Sequence, residues 1–332
     1  MRALVAGHLC IDLTPTLDRQ PGLEEGALYA VGPMQTRCGG CVYTTGRTLA
    51  GMGVDVVLAA AVGEDALAGL LLELLAVEGL DTAGFTVVNA STSYSIVTQA
   101  PGRDRTFWHH PGANAHFDGA DLDLDGVDVL HVGYPNLLAG LCVNEGEPLV
   151  ELFTRARDGG CTTSMDLAVV DAADPGGVAE WTAFLRRVLP VTDVVTPSLD
   201  DLRSALGWQL RDSADGLAEA AERLLGWGAG VALVTAGTEG LQVATAAAGR
   251  LADCGRLAPL LSGGENIRHL EPAVPVDHIT GTTGAGDVAT AGFLAGLMHG
   301  DGPVAAARLA ATAAARHVSG EAVPTAPNPR RR

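Results

Sequence analysis

Between Thr280 and Met298 the chain reads TGTTGAGDVATAGFLAGLM, a run whose small residues, acid and spacing suit phosphate chemistry. Gly284, Ala285 and Gly286 leave the backbone open to a ligand. Asp287 follows at once, and Val288, Ala291, Leu294 and Leu297 then fall on one face of a helix. A glycine turn entering a helix N-terminus presents unpaired N–H groups and the positive end of the macrodipole, which together favour an anion, most often a phosphate. Asp287 has two readings. It is an N-cap, adding about 1 kcal/mol through bonds to first-turn amides, or it is a general base for a hydroxyl held beside the phosphate.

Composition narrows the chemistry. The chain has 332 residues, 47% of them hydrophobic, with 43 glycines, which suits one large α/β domain or two smaller ones. A formal charge of −18 argues against nucleic acid and anionic membrane surfaces as partners. All 21 basic residues are arginines, so a Walker A loop and Schiff-base chemistry are both excluded. A phosphate bound here must be neutralised by backbone amides, arginine or a metal ion. No apolar run approaches the roughly 18 residues of a membrane span. The opening apolar stretch is interrupted by His8 and Asp12, too early for a signal peptide. The expected setting is therefore cytoplasmic, with Cys10, Cys38, Cys41, Cys142, Cys161 and Cys254 as free thiols. Cys38-Gly-Gly-Cys41 has a redox spacing, but no second pair supports zinc.

The elements that must carry this turn alternate regularly. Strands are expected at 3–6, 54–62, 85–88, 127–132, 162–165, 193–195 and 231–234, with an antiparallel edge made of 241–246 and 250–257. Helices are expected at 43–52, 66–78, 147–157, 177–188, 199–206, 217–227, 288–298 and 304–318. Such alternation predicts a three-layer, doubly wound α/β fold with a mostly parallel sheet. Two stretches depart from it. Residues 15–34 read as hairpin strands outside the core, and 94–99 turn at Pro101-Gly102 into 105–109. These two excursions can pair into a small β-sheet lid. The expected organisation is a core of 1–12, 39–91 and 111–327, a lid of 13–38 and 92–110, and a flexible tail at 328–332.

Polar residues and glycines recur at the C-terminal ends of the predicted strands: Asp12, Gly133, Asp166, Ser198 with Asp200 and Asp201, and Thr235 with Gly237. Each alone reads as a turn or cap residue. Their recurrence outlines the crevice in which open α/β sheets bind ligands.

At this point the residues resemble the ribokinase-like, PfkB-type carbohydrate kinases over nearly the whole chain. Gly39-Gly40 before a helix is similar to the N-terminal glycine signature of that family. Val62-Gly63-Glu64-Asp65 with Gly69 resembles its "vGdDxxG" stretch, and Pro111-Gly112-Ala113-Asn114 its "GAN" segment. Pro197-Ser198-Leu199-Asp200-Asp201 sits where "PNxxE" is usual, and Thr235 to Gly240 resembles "TxGxxG". Thr283-Gly284-Ala285-Gly286-Asp287 matches the C-terminal signature almost letter for letter. The resemblance implies a three-layer core with a β lid and an ATP-dependent kinase acting on a hydroxymethyl group of a sugar or sugar-like molecule. Asp287 would be the general base, with the amides of Ala285, Gly286 and Asp287 around the transferring phosphoryl group after Gly284. Asp12, Gly39, Gly40, Thr44 and Asn114 would contact the acceptor. Ser198, Thr235, Gly237, Thr238, Gly240 and Thr283 would meet ATP, and Asp201 or Asp200 would order water around Mg²⁺. Departures are Thr44 and Cys41, where Asn and Lys are frequent, and Ser198 and Asp201, where Asn and Glu are usual.

Other readings stay open on sequence. Gly284-Ala-Gly286-Asp-Val-Ala289 also fits the dinucleotide fingerprint, although no clear strand precedes it and no acid ends a strand about 20 residues on. A nucleoside (adenosine-like) kinase and a non-catalytic sugar- or nucleotide-binding protein share the fold. Few arginines near the lid argue against a phosphorylated acceptor. A requirement for a monovalent cation is undecided, and the outer face of the lid is a candidate for homodimerisation.

Overall fold

The fold follows from strands buried on both faces. In a computed structural model describing residues 1–20, 22, 24–103, 105–171 and 180–323, β1 (Arg2–Gly7) is followed by β2 (Cys10–Pro15), β3 (Met34–Gly39) and helix α1 (Cys41–Gly51). Then come β4 (Asp55–Ala59), β5 (Ala61–Val62), α2 (Ala66–Val77), β6 (Thr86–Val87), β7 (Tyr94–Thr98) and β8 (Thr106–His110). Next are β9 (Val129–Gly133), α3 (Ala139–Asp158), β10 (Thr162–Met165), α4 (Trp181–Val188), β11 (Val194–Val195), α5 (Leu199–Leu206), α6 (Ala214–Gly226), β12 (Val231–Thr235) and β13 (Leu241–Thr245). The chain continues with α7 (Ala248–Ala252), α8 (Ala258–Leu261), β14 (Arg268–Glu271), α9 (Ala285–His299) and α10 (Pro303–Ser319).

Eight strands form one sheet in the order β14-β13-β12-β11-β10-β9-β1-β4, parallel from β4 to β12 and antiparallel at β13 and β14. In β1, Ala3 and Val5 pack on the face covered by α1, α9 and α10, while Leu4 and Ala6 pack on the face covered by α3, α4, α5 and α6. Burial on both faces explains why these strands read as continuous apolar runs. The chain leaves β1 for β4 on one side and reaches β9 on the other, so strand order reverses between β1 and β9. A ligand crevice is expected outside the carboxyl ends at such a reversal.

The two excursions do pair. β3, β2, β7 and β8 make a separate four-stranded sheet, with β2 and β7 parallel and the flanking pairs antiparallel. Its first strands lie at either end of the excursion, not across 15–34; Gly22 and Pro33 in between suit a connection better than a ladder.

Two expectations need correction. The second edge strand is β14, whereas 250–257 forms α7 and a 3-10 turn at Gly255–Leu257. Leu251, Leu257 and Leu261 are all buried, so the stretch contributes to the core as helical turns instead of extending the sheet. The run 54–62 divides at Ala60, with β4 in the main sheet and β5 paired to β6 in a two-stranded sheet. The helix expected at 147–157 is present as the continuous part of α3, and the turn before it ends in non-helical backbone at Val143–Gly146. The start expected for α4 at 177–179 and the tail at 328–332 fall outside the described residues.

One buried ion pair ties the layers together. Asp193, fully buried before β11, accepts from the Thr163 amide at 3.0 Å and from Arg250 Nη1 at 2.9 Å, with Arg157 Nε at 3.7 Å. It thereby links β10 and β11 to α7.

Candidate active site

The glycine turn begins α9 as its sequence predicts, but the cap is different. Gly284, at φ +77°, is the N-cap, no side chain caps the helix, and Asp287 lies in the first turn with its side chain elsewhere. The cap reading of Asp287 therefore does not hold. Its carboxylate is 3% exposed, and Oδ1 accepts from Tyr134 Oη at 2.6 Å and from Thr45 Oγ1 at 3.3 Å. Burial, helped by the charge of Asp201, pushes its pKa up to about 6, against the opposing pull of the Tyr134 and Thr45 bonds. A carboxylate poised near neutrality suits a general base.

The backbone around it is partly free. Among the described residues the amides of Gly286 and Asp287 have no acceptor, whereas the Ala285 amide closes a turn onto the Thr282 carbonyl at 3.2 Å. Two donors at the positive end of a helix make a site for an anion.

Asp287 opens onto a cleft of about 2460 Å³ that lies between the main sheet and the small one. The same cleft receives Asp12, Gly39, Gly40, Thr44, Thr283 and Gly284. Asp12 projects from β2, and burial raises its pKa, with hydrogen bonds from Cys10 and Ser95 opposing. Gly39 lets that carboxylate approach: a Cβ there would lie 2.4 Å from Asp12 Oδ2. Gly40, at φ +89°, caps α1, and a Cβ there would lie 2.5 Å from the His8 carbonyl oxygen. Gly40→Ala is therefore expected to destabilise the fold by about 1–3 kcal/mol, as read by chemical denaturation; an unchanged value would show that the glycine is dispensable.

Other candidates sit apart from this cleft. Asn114 is fully buried and its amide is used on both backbone groups of Leu9, at 3.0 and 3.4 Å. Ser198 and Asp201 form a capping box at the start of α5: Asp201 Oδ2 accepts from the Ser198 amide and hydroxyl at 2.8 and 2.7 Å. Burial raises Asp201 to about 6, opposed by these bonds. Asp200 faces outward and pairs with Arg203 at 2.9 Å. Thr235 ends β12 beside Ser198, to which it is bridged, and Gly237, Thr238 and Gly240 follow in an exposed 3-10 turn that closes at buried Gly240. These residues share the carboxyl edge of β11 and β12 and form a second group, separate from the lining around Asp287.

Asp166 connects the two groups electrostatically. It lies past β10, 4% exposed, bonded to the Leu167 amide at 2.8 Å, and burial followed by the charges of Asp201 and Asp287 raises its pKa strongly. Three buried acids thus face a region without a lysine in the chain. Among the described residues no three acidic, His or Cys side chains converge to ligate one ion directly. Asp166 and Asp201 are the buried carboxylates that a divalent cation held through water would meet here.

Sequence reasoning missed Tyr134, Thr45 and His8. His8 lines the cleft beside His109, with Nε2 atoms 3.4 Å apart, and burial lowers its pKa to about 3, keeping the ring neutral. Tyr134 directly follows Gly133, a strand-end glycine that was singled out, so the position was within one residue of being found. Arg37, Arg47 and Arg105 line the cleft, which corrects the expectation of few arginines near the lid. Arg105 donates from the start of the β8 arm to the Thr282 hydroxyl, next to the glycine turn.

The sequence as a whole matches the description "pfkB family carbohydrate kinase" over residues 2–329. The chain belongs to the pfkB family. Comparison with curated proteins gave no match. Solved structures share the fold of this pfkB protein at low identity. Arabidopsis thaliana ribokinase complexed with ribose and ATP has a TM-score of 0.74 at 20% identity, covering 98% of this chain and 95% of that one. Thermotoga maritima ribokinase gives 0.71 at 20%, covering 97% and 96%. A Burkholderia thailandensis nucleoside kinase in complex with inosine gives 0.68 at 19%, covering 97% and 94%. The small sheet over the cleft in this pfkB chain corresponds to the lid expected from the two excursions. Among the described residues no helix is long and apolar enough to cross a membrane.

Proposed function

We propose that this pfkB protein is an ATP-dependent kinase that phosphorylates a hydroxymethyl group of a sugar or sugar-like acceptor, with Asp287 as the general base. The observation that carries the reading is a buried carboxylate, beside two unpaired helix-terminal amides, that lines the same cleft as Asp12. Asp287 takes the proton from the acceptor hydroxyl as its oxygen attacks the γ-phosphorus. The bond from phosphorus to the β–γ bridging oxygen breaks, and ADP leaves. Such a transfer needs alignment and charge neutralisation more than covalent help from the protein. The amides of Gly286 and Asp287 supply part of the neutralisation, and the Ala285 amide joins them once its turn to Thr282 opens. A bound Mg²⁺ would offset charge on the phosphates next to Asp166 and Asp201. Ser198, Thr235, Gly237, Thr238 and Gly240 form the nucleotide side, with residues 13–38 and 92–110 as the lid.

A nucleoside acceptor is a second reading, favoured by Phe107 and His109, which give the lid side of the cleft flat rings for a base. A coupled assay with ATP and Mg²⁺ across pentoses, hexoses, sugar phosphates and nucleosides separates the two. Turnover of at least one sugar is the expected result; ATP-dependent turnover of nucleosides alone selects the second, and no turnover across the panel sinks both. The active enzyme should lose kcat/KM about tenfold per pH unit below the Asp287 midpoint, about 6. The sign follows from the raised value: the base is ionised above that midpoint and protonated below it.

A further inference from the structure

Asp287 has two oxygens, and the structure treats them differently. Oδ1 is occupied by two hydroxyls, Tyr134 at 2.6 Å and Thr45 at 3.3 Å, whereas Oδ2 has no protein donor among the described residues. Tyr134 stands directly after β9, at the strand-order reversal, and its ring is 5.7 Å from His8. It therefore reaches the base from the sheet, while Thr45 reaches it from α1. A carboxylate gripped at one oxygen by two elements cannot rotate freely about its terminal bond, so the oxygen left over has a fixed direction.

We propose that Tyr134 is a positioning residue: its hydroxyl holds Asp287 Oδ1 and leaves Oδ2 as the oxygen that meets the acceptor hydroxyl. This rests on the kinase reading above and adds to it a residue on a different strand from the glycine turn. Tyr134 remains a donor, because burial and the neighbouring charge of Asp287 raise its pKa well above that of free tyrosine. The groups facing Asp287 from the elements around it are Asp201, Asp166, Cys41 and, across the glycine turn, His317. Burial and the charge of Asp201 raise the proton affinity of Asp287, so a donor to its ionised form acts in the opposite direction. A short bond to the charged form is worth more than the longer one from Thr45.

The test is the pH dependence of Tyr134→Phe, measured in two ways. In turnover, the acidic limb of kcat/KM should move up by about one pH unit, with kcat at pH 8 reduced more than KM is changed. Incorporating 3-fluorotyrosine at position 134, a stronger donor of nearly the same shape, should move the limb the other way. In the absence of turnover, the ¹³C carboxyl resonance of Asp287, assigned by its loss in Asp287→Asn, should show the same upward shift of its titration in Tyr134→Phe. A carboxyl titration that is unmoved in both variants overturns the role of Tyr134, whether or not the protein is a kinase. A shifted titration with no turnover on any acceptor keeps the Tyr134–Asp287 contact and overturns the assigned reaction, and with it the positioning role.

Discussion

Asp287→Asn is expected to lower kcat by about 10³- to 10⁴-fold while ATP affinity stays near that of the parent. The amide keeps the shape of the side chain and can still accept from Tyr134 and Thr45 through its oxygen, so the helix and its unpaired amides should remain in place. On the proposed mechanism, what disappears is the ability to accept the proton of the acceptor hydroxyl. Losses confined to kcat and kcat/KM, with unchanged nucleotide binding by calorimetry, identify an interaction made in the transition state. Near-parental turnover in this variant would remove Asp287 as the base. A large loss of ATP affinity would instead show that the substitution had disturbed the helix terminus.

The largest expected effect on folding lies far from the chemistry. Asp193→Ala should destabilise the protein by about 3–5 kcal/mol, because it leaves Arg250 without its partner in a largely buried setting. Arg250 is 19% and Arg157 23% exposed in their side chains, so water recovers part of the loss and the lower end of that range applies. The Thr163 amide also loses its acceptor. Guanidinium denaturation followed by circular dichroism reads the change directly. A shift under about 1 kcal/mol, the value of an exposed pair, would show that the guanidinium groups find other acceptors, of which Arg250 already has the carbonyls of Thr192 and Gly228.

The sequence reveals best what local physics decides. Continuous apolar runs such as Ala3–Ala6 and Val231–Val234 become central strands because both faces are covered, and Gly284 becomes a helix entrance because few other residues tolerate its left-handed backbone. Two β excursions separated by more than fifty residues pair into one sheet, since each exposes an edge that the other can satisfy. The edge of the main sheet was read differently from its observed form because 250–257 and 268–271 are both short and partly apolar. Only tertiary packing of Leu251 and Leu257 distinguishes a turn of helix from a strand there. The partners of Asp287 were hidden for a related reason. Tyr134 is 153 residues away and Thr45 is 242 residues away, and no period or local motif marks a contact of that separation. Thr44, taken from a motif comparison, lines the cleft, and the adjacent Thr45, one step on in helix phase, is the residue whose hydroxyl reaches Asp287.

On the proposed kinase function, Gly7 and Gly133 have a consequence for how this scaffold changes its acceptor. They face each other at the ends of β1 and β9, where a Cβ on Gly7 would lie 2.2 Å from the Gly133 oxygen and one on Gly133 would lie 2.8 Å from Cys41 Sγ. The backbone next to His8 and Tyr134 is already at contact distance from Gly7 to Gly133 and from Gly133 to Cys41, so it can be neither narrowed by a side chain nor shimmed apart without breaking the ladder. Directed evolution toward new acceptors should accordingly accumulate changes in the roof, at positions such as Arg37, Phe107 and His109, and leave these two floor glycines untouched.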